Sequence, residues 1–268
     1  MSSASPSIIT INYNNRDGLR KTIESVVGQT SRDFEYIVID GGSTDGSKEV
    51  ITEYADKIDY WVSEPDSGIY NAMNKGVGHA RGEYLNFMNS GDCFHDENVL
   101  AALPGDADED IIFGCAVTSA GGLWAPAKVM TLYSLCLHLF NHQSTFYKRS
   151  IFDTDKYDEN LKLLSDWKLT VKSVVADNRT YRVVDNIIAL YDLNGISSAD
   201  AEARYREQET IMRELFPERI VDDYLFFRRL RSPLLDDIAY LSSRYRLHRI
   251  IIKIVRFAIR MNKKIFDR

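Results

Sequence analysis

Short β-branched segments alternate with helical segments over the N-terminal third of the chain, and this alternation restricts the fold more than any other feature. The segments predicted as strands are Ser7–Tyr13, Phe34–Asp40, Tyr60–Ser63 and Tyr84–Met88. The segments predicted as helices are Arg16–Gln29, Ser47–Ile58 and Tyr70–His79. Strands that alternate with helices of about 10–15 residues predict a parallel sheet flanked by helices.

The remainder of the chain continues with fewer strands and more helix. Further strands are predicted at Ile111–Val117 and Val183–Tyr191, and helices at Thr131–Phe140 and Ser165–Ala176. From Ala201 onward the pattern is helical, with interruptions at Pro217 and Pro233. We therefore expect an α/β domain over residues 1–200 and a helical extension over residues 201–268.

Composition places the chain among globular proteins. It has 268 residues, of which 44% are hydrophobic, enough for one large core. Cys93, Cys115 and Cys136 lack metal-ligand spacing, which is typical of reduced thiols in a cytoplasmic protein. The N-terminus has no signal-peptide pattern and no apolar run has the length of a membrane span, so we expect neither export nor a spanning helix.

Acidic residues lie at or just beyond the predicted strand ends. Asp40, Asp66 and Asp92 occupy such positions, where α/β sheets bind ligands. The first strand is not followed by a GxGxxG fingerprint or a P-loop lysine, so phosphate charge has to be met in another way. A divalent cation held by carboxylate meets it, since Mg²⁺ and Mn²⁺ prefer oxygen ligands. Asp92 is the best candidate ligand.

Three ordered motifs carry a resemblance to a known family. The segments are IVIDGGSTDGS (37–47), SEPDSGIYNAMNKG (63–76) and ARGEYLNFMNSGD (80–92), followed by HQSTF (142–146), SDW (165–167) and NGISS (194–198). Together they resemble family 2 glycosyltransferases of the GT-A fold, in particular the bacterial group that builds exopolysaccharide and O-antigen units. The resemblance implies a domain with a nucleotide-sugar-binding part (1–117) and an acceptor-binding part (118–200).

The resemblance also implies roles for residues near the first strands. Thr10 and Asn12 would line the nucleotide pocket, Asp40 would hydrogen-bond the base, and Asp66 would lie against base or ribose. Asp92 would hold Mn²⁺ or Mg²⁺, which stabilises the departing diphosphate.

Further implied roles concern the sugar and the acceptor. Asn89 and Ser90 would contact the nucleotide-sugar, and His142 and Gln143 would face the diphosphate or the acceptor. Asp166 would be the catalytic base that takes the proton from the acceptor hydroxyl. The resemblance thus implies inverting transfer of a sugar from a UDP- or GDP-sugar to an acceptor, of which a lipid-linked saccharide is typical.

Two departures from the family pattern stand out. The metal motif commonly carries two or three acids, whereas Asn89–Asp92 keeps only its last one. Lys168 stands two positions after Asp166, where an acid or an apolar residue is usual, and this leaves acceptor preference open.

Each candidate has a simpler structural interpretation. Asp40 before two glycines is also typical of a turn that ends a strand. Asp92 is in range to cap a helix starting near Asp96, and Asp166 is in range to cap the helix that follows it. The His142–Gln143 pair is also compatible with two satisfied polar side chains. Two other functions remain open: a non-catalytic nucleotide-sugar sensor or scaffold, and a sugar nucleotidyltransferase.

The charge is distributed unevenly along the chain. Residues 244–268 contain nine Lys or Arg and one acid, although the net charge of the chain is −6. Basic residues recur there at intervals of three and four between apolar ones, which predicts an amphipathic helix suited to an anionic membrane surface. The alternatives are a helix that docks on the body of the protein, and nucleic-acid binding, which lacks an accompanying motif. We therefore expect peripheral attachment to the cytoplasmic face of the membrane, no nucleic-acid partner, and possible oligomerisation.

Overall fold

The computed structural model describes residues 5–137, 140–191, 201–230, 253–254 and 256–257. Within these ranges nine strands form one sheet. The strands are β1 (Pro6–Asn12), β2 (Glu35–Asp40), β3 (Tyr60–Ser63), β4 (Tyr84–Phe87), β5 (Cys93–Phe94), β6 (Ile111–Thr118), β7 (Leu123–Trp124), β8 (Thr145–Lys148) and β9 (Tyr181–Tyr191). The helices are α1 (Arg16–Val27), α2 (Ser47–Glu53), α3 (Ile69–His79), α4 (Leu132–Leu137), α5 (Ser165–Val171), α6 (Ala201–Leu215) and α7 (Glu218–Leu230).

The N-terminal half of the sheet is parallel, in the order β3-β2-β1-β4. Every residue of β1 and β2 is buried, which explains their continuous β-branched sequences, because central parallel strands are covered on both faces. The edge strand β3 is only half-buried. These four strands and the helices between them confirm the predicted βα alternation to within a few residues.

Helix α1 shows how the sequence pattern produces the packing. Leu19, Ile23 and Val26, spaced at three and four residues, are fully buried in the core. Each such side chain contributes about 1.5–3 kcal/mol on burial. Asn15 caps the helix by accepting a hydrogen bond from the Gly18 amide.

The C-terminal half of the sheet is mixed. Strand β8 pairs antiparallel with both β4 and β6, while β6 and β9 pair in parallel. Strands β5 and β7 add antiparallel pairs to β9 and β6. Parallel pairing, expected for most of the sheet, therefore dominates only in its first half. Three strands were not predicted, β5, β7 and β8; β5 and β7 have only two residues each, too few to show a period.

Several predicted helices are shorter or differently wound than expected. The helix predicted over 47–58 ends at Glu53 and is followed by a 3₁₀ turn at Ala55–Lys57. The helix predicted over 165–176 becomes a π-helical turn at Lys172–Ala176. The one predicted over 131–140 is helical at Leu132–Leu137, and residues 138–139 lie outside the described ranges.

The chain divides into two compact units, Met1–Val221 and Asp222–Arg268. The first unit includes α6, although the sequence pattern placed the start of the extension at residue 201. Most of the basic segment 244–268 lies outside the described residues, as does the 194–198 motif; residues 253–254 and 256–257 are helical. Among the described helices, none combines the length and the apolar character that crossing a bilayer requires.

Candidate active site

A cavity of about 1320 Å³ opens where β1, β2 and β4 end. Its wall includes Asn12 and Tyr13 at the end of β1, Gly41 and Gly42 after β2, and the segment Asn89–Asp92 after β4. Ligands of α/β sheets bind at this edge, as the sequence predicted. The later part of the chain contributes further residues to the wall, among them Trp124, Phe140, His142, Gln143, Asp166 and Trp167.

Eight of the ten predicted site residues line this cavity: Asn12, Asp66, Asn89, Ser90, Asp92, His142, Gln143 and Asp166. The other two, Thr10 and Asp40, are fully buried and are not part of the wall. The Thr10 hydroxyl lies 3.1 Å from the Tyr36 hydroxyl, inside the sheet. The roles of all ten residues remain predictions, but eight of them share the wall of one cavity.

Asp40 organises the turn that follows β2. Its carboxylate accepts hydrogen bonds from the Asn12 amide (2.7 Å), the Ser63 hydroxyl (2.7 Å) and both the backbone amide and the hydroxyl of Ser43 (3.0 and 2.5 Å). Burial alone raises the pKa of a carboxyl, but these hydrogen bonds outweigh it and lower the pKa of Asp40. The geometry supports the simpler interpretation of Asp40 as a residue that ends a strand and holds a turn.

Two glycines after Asp40 leave room at the cavity wall for the Asp66 carboxylate. Gly42 has φ of +79°, a left-handed conformation that side chains disfavour. A Cβ atom at Gly41 would lie 2.5 Å from Asp66 Oδ2, so only glycine leaves room for that carboxylate. Asp66 in turn accepts a hydrogen bond of 2.9 Å from the Gly68 amide, which holds its side chain at the cavity wall.

Helix α1 holds the acidic loop after β4. The hydroxyl of buried Thr22 donates to the Asp92 carbonyl oxygen (2.6 Å) and accepts from the Gly91 amide (3.0 Å). Residues 96–102 form turns, so Asp92 does not cap a helix there. The Asp92 carboxylate instead accepts a hydrogen bond of 2.7 Å from the Gln143 amide. This contact joins the loop after β4 to the segment before β8.

Among the described residues, Asp92 has few neighbouring side chains that could join it as ligands of a metal ion. In the part of the chain that the structure describes, no three His, Cys, Asp or Glu residues come together as a metal site. Mg²⁺ nevertheless is commonly bound through one or two carboxylates plus substrate phosphates. One carboxylate at the cavity wall is compatible with that mode, in which the diphosphate supplies the remaining oxygens.

Asp166, Asn89 and His142 form a hydrogen-bonded row at the cavity wall. His142 Nδ1 lies 3.0 Å from Asp166 Oδ2, and His142 Nε2 lies 3.1 Å from Asn89 Nδ2. Asp166 Oδ1 accepts from the Trp167 amide at 2.8 Å, and the Tyr70 hydroxyl lies 3.4 Å away. Asp166 belongs to the first turn of α5 rather than to its cap position. Its carboxylate is thus held on both oxygens.

Helix α6 supports the segment that leads into α5. The Glu207 carboxylate accepts from the backbone amides of Lys162 (2.7 Å) and Leu163 (2.9 Å), both of which line the cavity. Lys168 pairs with Asp158 (2.7 Å) and with Glu214 on α6 (2.6 Å). The unusual Lys168 is therefore part of an internal ion-pair network.

Sequence reasoning missed several residues of the cavity wall. Tyr13, 67% exposed, directly follows the predicted pocket residue Asn12, and its position at a strand end was an available signal. Trp124 belongs to the two-residue strand β7, and Arg204 to the predicted extension, so neither had a signal of this kind.

Comparison with known proteins shows that this chain is similar to glycosyltransferases. The family described as Glycosyl transferase family 2 matches residues 7–159. An uncharacterized glycosyltransferase of Mycobacterium tuberculosis is 32% identical over 206 residues, which cover 72% of this chain and 76% of that protein. A PGL/p-HBAD biosynthesis glycosyltransferase of Mycobacterium bovis is 26% identical over 213 residues, with 74% and 81% covered.

Solved structures with the same fold include two bound to nucleotide-sugars. Staphylococcus aureus TarS (residues 1–349) with UDP-GlcNAc has a TM-score of 0.66 at 20% identity. The match covers 82% of this chain and 70% of the TarS chain. The mannosyltransferase PcManGT from Pyrobaculum calidifontis, with GDP-Man and Mn²⁺, has a TM-score of 0.58 at 14% identity and covers 98% and 87%. These likenesses confirm the predicted GT-A fold.

Proposed function

The chain belongs to glycosyl transferase family 2 and is a glycosyltransferase, and from this we propose that it transfers a sugar with inversion from a UDP- or GDP-sugar to an acceptor hydroxyl. The observation that carries the proposal is that Asp92 and Asp166 line the same cavity at the carboxyl ends of the parallel strands. Inverting transfer needs a stabilised leaving group and a positioned carboxylate. The two aspartates are the candidates for these two tasks.

Asp166 is proposed as the base. Its side chain is 15% exposed, so it is open to the cavity and yet held by its neighbours. It takes the proton from the acceptor hydroxyl while the acceptor oxygen bonds to the anomeric carbon. The bond from that carbon to the diphosphate breaks, and the nucleoside diphosphate leaves with the electron pair.

The donor is proposed to bind at the edge formed by β1, β2 and β4. Tyr13 and Asp66 would contact the nucleoside, and Asn89 and Ser90 the sugar diphosphate. A Mn²⁺ or Mg²⁺ ion held by Asp92 would supply positive charge against the departing diphosphate. TarS with UDP-GlcNAc and PcManGT with GDP-Man and Mn²⁺ support this class of donor and metal.

The acceptor is proposed to be a lipid-linked saccharide in surface polysaccharide synthesis. The basic segment 244–268 suits a peripheral position at the cytoplasmic face of an anionic membrane. Vesicle co-sedimentation with and without anionic lipid tests the membrane contact, and loss of binding at high salt is expected.

A donor screen tests the central proposal. The purified protein is incubated with UDP- and GDP-sugars, with and without Mn²⁺, and released nucleoside diphosphate is measured. We expect release from one donor class that depends on metal and is abolished in Asp92→Asn, whereas the exposed control Asp56→Asn retains it. Binding of a nucleotide-sugar without turnover, even with lipid-linked acceptors, would instead favour a sensor or scaffold.

A further inference from the structure

His142 lies between Asp166 and Asn89, and both of its ring nitrogens meet a polar neighbour. Nδ1 is 3.0 Å from Asp166 Oδ2, and Nε2 is 3.1 Å from Asn89 Nδ2. The side chains of His142 and Asp166 are only 19% and 15% exposed, so water competes little for these hydrogen bonds. The imidazole thus links two side chains of the cavity wall.

The direction of these hydrogen bonds follows from the groups involved. A carboxylate only accepts, so Nδ1 of His142 carries the proton that bonds to Asp166. In a neutral imidazole Nε2 then accepts, and the Asn89 amide donates to it. This arrangement leaves Asn89 Oδ1 buried without a hydrogen-bond partner among the described residues. An acceptor left unpaired in this way costs about 1–3 kcal/mol.

We propose that His142, held by Asn89, is the positioning residue for Asp166. With Oδ2 bound to His142 and Oδ1 bound to the Trp167 amide, the carboxylate has one fixed orientation toward the cavity. A base gains rate when it is held within reach of the proton it takes. This role differs from the contact with the diphosphate or the acceptor that the family resemblance implied for His142, and it rests on the proposed function of Asp166.

Two substitutions of His142 test the contributions of its two ring nitrogens separately. The amide nitrogen of His142→Asn lies near the Nδ1 position and still donates to Asp166. The amide oxygen of His142→Gln reaches the Nε2 position and accepts from Asn89, but the donor to Asp166 is lost. We expect kcat to fall about 10- to 100-fold in the Gln variant and to stay within about fivefold of wild type in the Asn variant.

Nucleotide affinity distinguishes positioning from donor contact. The Kd for UDP or GDP, whichever the transfer reaction releases, should stay within about twofold of wild type in both variants. Equal kcat in the two variants, or a Kd raised about tenfold in both, overturns the positioning role. Asp166→Asn in the same series tests the base itself: wild-type kcat there refutes the proposed function, whatever the His142 variants do.

A spectroscopic measurement on the wild-type protein tests the same hydrogen bond without any substitution. Ring nitrogen-15 NMR at neutral pH should show His142 with a protonated Nδ1 and an unprotonated Nε2. The opposite tautomer contradicts the proposal, because Nδ1 could not then donate to Asp166.

Discussion

Two hydrogen-bonded clusters of the site, which we call the nucleotide half and the acceptor half after their proposed roles, are built in different ways. In the nucleotide half, Asp40 is buried behind the cavity wall and meets Asn12 and Ser63, and these three residues stand directly opposite one another in the register of β1, β2 and β3. In the acceptor half, Asp166 meets His142 and Tyr70, which come from a 3₁₀ turn and from α3. Strand register alone assembles the first cluster, whereas the second depends on the packing of separate elements.

The comparison indicates which residues stabilise the fold and which take part in the proposed chemistry. The Asp40 carboxylate is fully buried, accepts hydrogen bonds from Asn12, Ser43 and Ser63, and holds a turn in place. The side chains of Asp166 and His142 are instead partly open to the cavity, 15% and 19% exposed. Each cluster contains one buried amide oxygen, Asn12 Oδ1 or Asn89 Oδ1, that has no partner among the described residues, so exposure is what separates the two clusters. We therefore expect substitutions in the first cluster to reduce stability and those in the second to reduce activity.

The largest effect is expected for Asp166→Asn. The amide cannot take a proton from the acceptor hydroxyl, so kcat should fall about 10²- to 10⁴-fold. The free energy of unfolding should fall by less than in Asp40→Asn, because the Asp166 side chain is 15% exposed whereas Asp40 is fully buried, and the affinity for the nucleoside diphosphate should change little. Steady-state transfer kinetics and a binding titration measure the two effects separately.

Asp153→Asn is the matched control for that substitution, since Asp153 is an exposed acid close by in the sequence. It should keep wild-type kcat. If Asp166→Asn behaved like this control in transfer and instead unfolded at a lower denaturant concentration, the division between the two clusters would be wrong.

The same division explains how much the sequence could predict. The strands and helices of the first half were predicted to within a few residues, because fully buried β-branched segments and helical periodicity are local signals. Asp92 and Asp66 followed from their position after strands. Their place in one cavity wall is a consequence of parallel pairing, which brings the carboxyl ends of the strands to one edge.

The second half of the fold could not be predicted from local sequence signals. Strand β7 has two residues, too few to show alternation, and it contributes Trp124 to the cavity wall; His142 and Gln143 lie in the segment directly before β8. The contacts of Glu207 with Lys162 and Leu163 span more than forty residues of sequence. The family resemblance identified His142 and Asp166 separately, but their hydrogen bond required the packed structure.

A second prediction concerns stability in the nucleotide half. Asp40→Asn places an amide nitrogen against donors from Asn12, Ser43 or Ser63, so the free energy of unfolding should fall by about 2–4 kcal/mol. Because the folded pKa of Asp40 is lowered, its contribution is present above the ordinary carboxyl pKa and is lost as the pH falls through the folded value. Urea unfolding at neutral and acid pH measures this.

Wild type should thus lose its advantage over Asp40→Asn as the pH falls, and the two unfolding curves should converge. A constant difference between them at every pH would show that the carboxylate charge at Asp40 is not what stabilises the turn.

The smallest effect tests whether α6 supports the acceptor half. Glu207→Gln can accept from only one of the two backbone amides at Lys162 and Leu163, so stability should fall by about 1–2 kcal/mol and kcat by no more than about tenfold. Glu209→Gln is the matched control on the same helix. Glu209 pairs with Arg213 one turn along, an exposed surface contact that contributes little to stability. Equal urea midpoints for the two variants would mean that the segment before α5 keeps its place without α6, and the acceptor half would then depend on long-range contacts only through His142 and Tyr70.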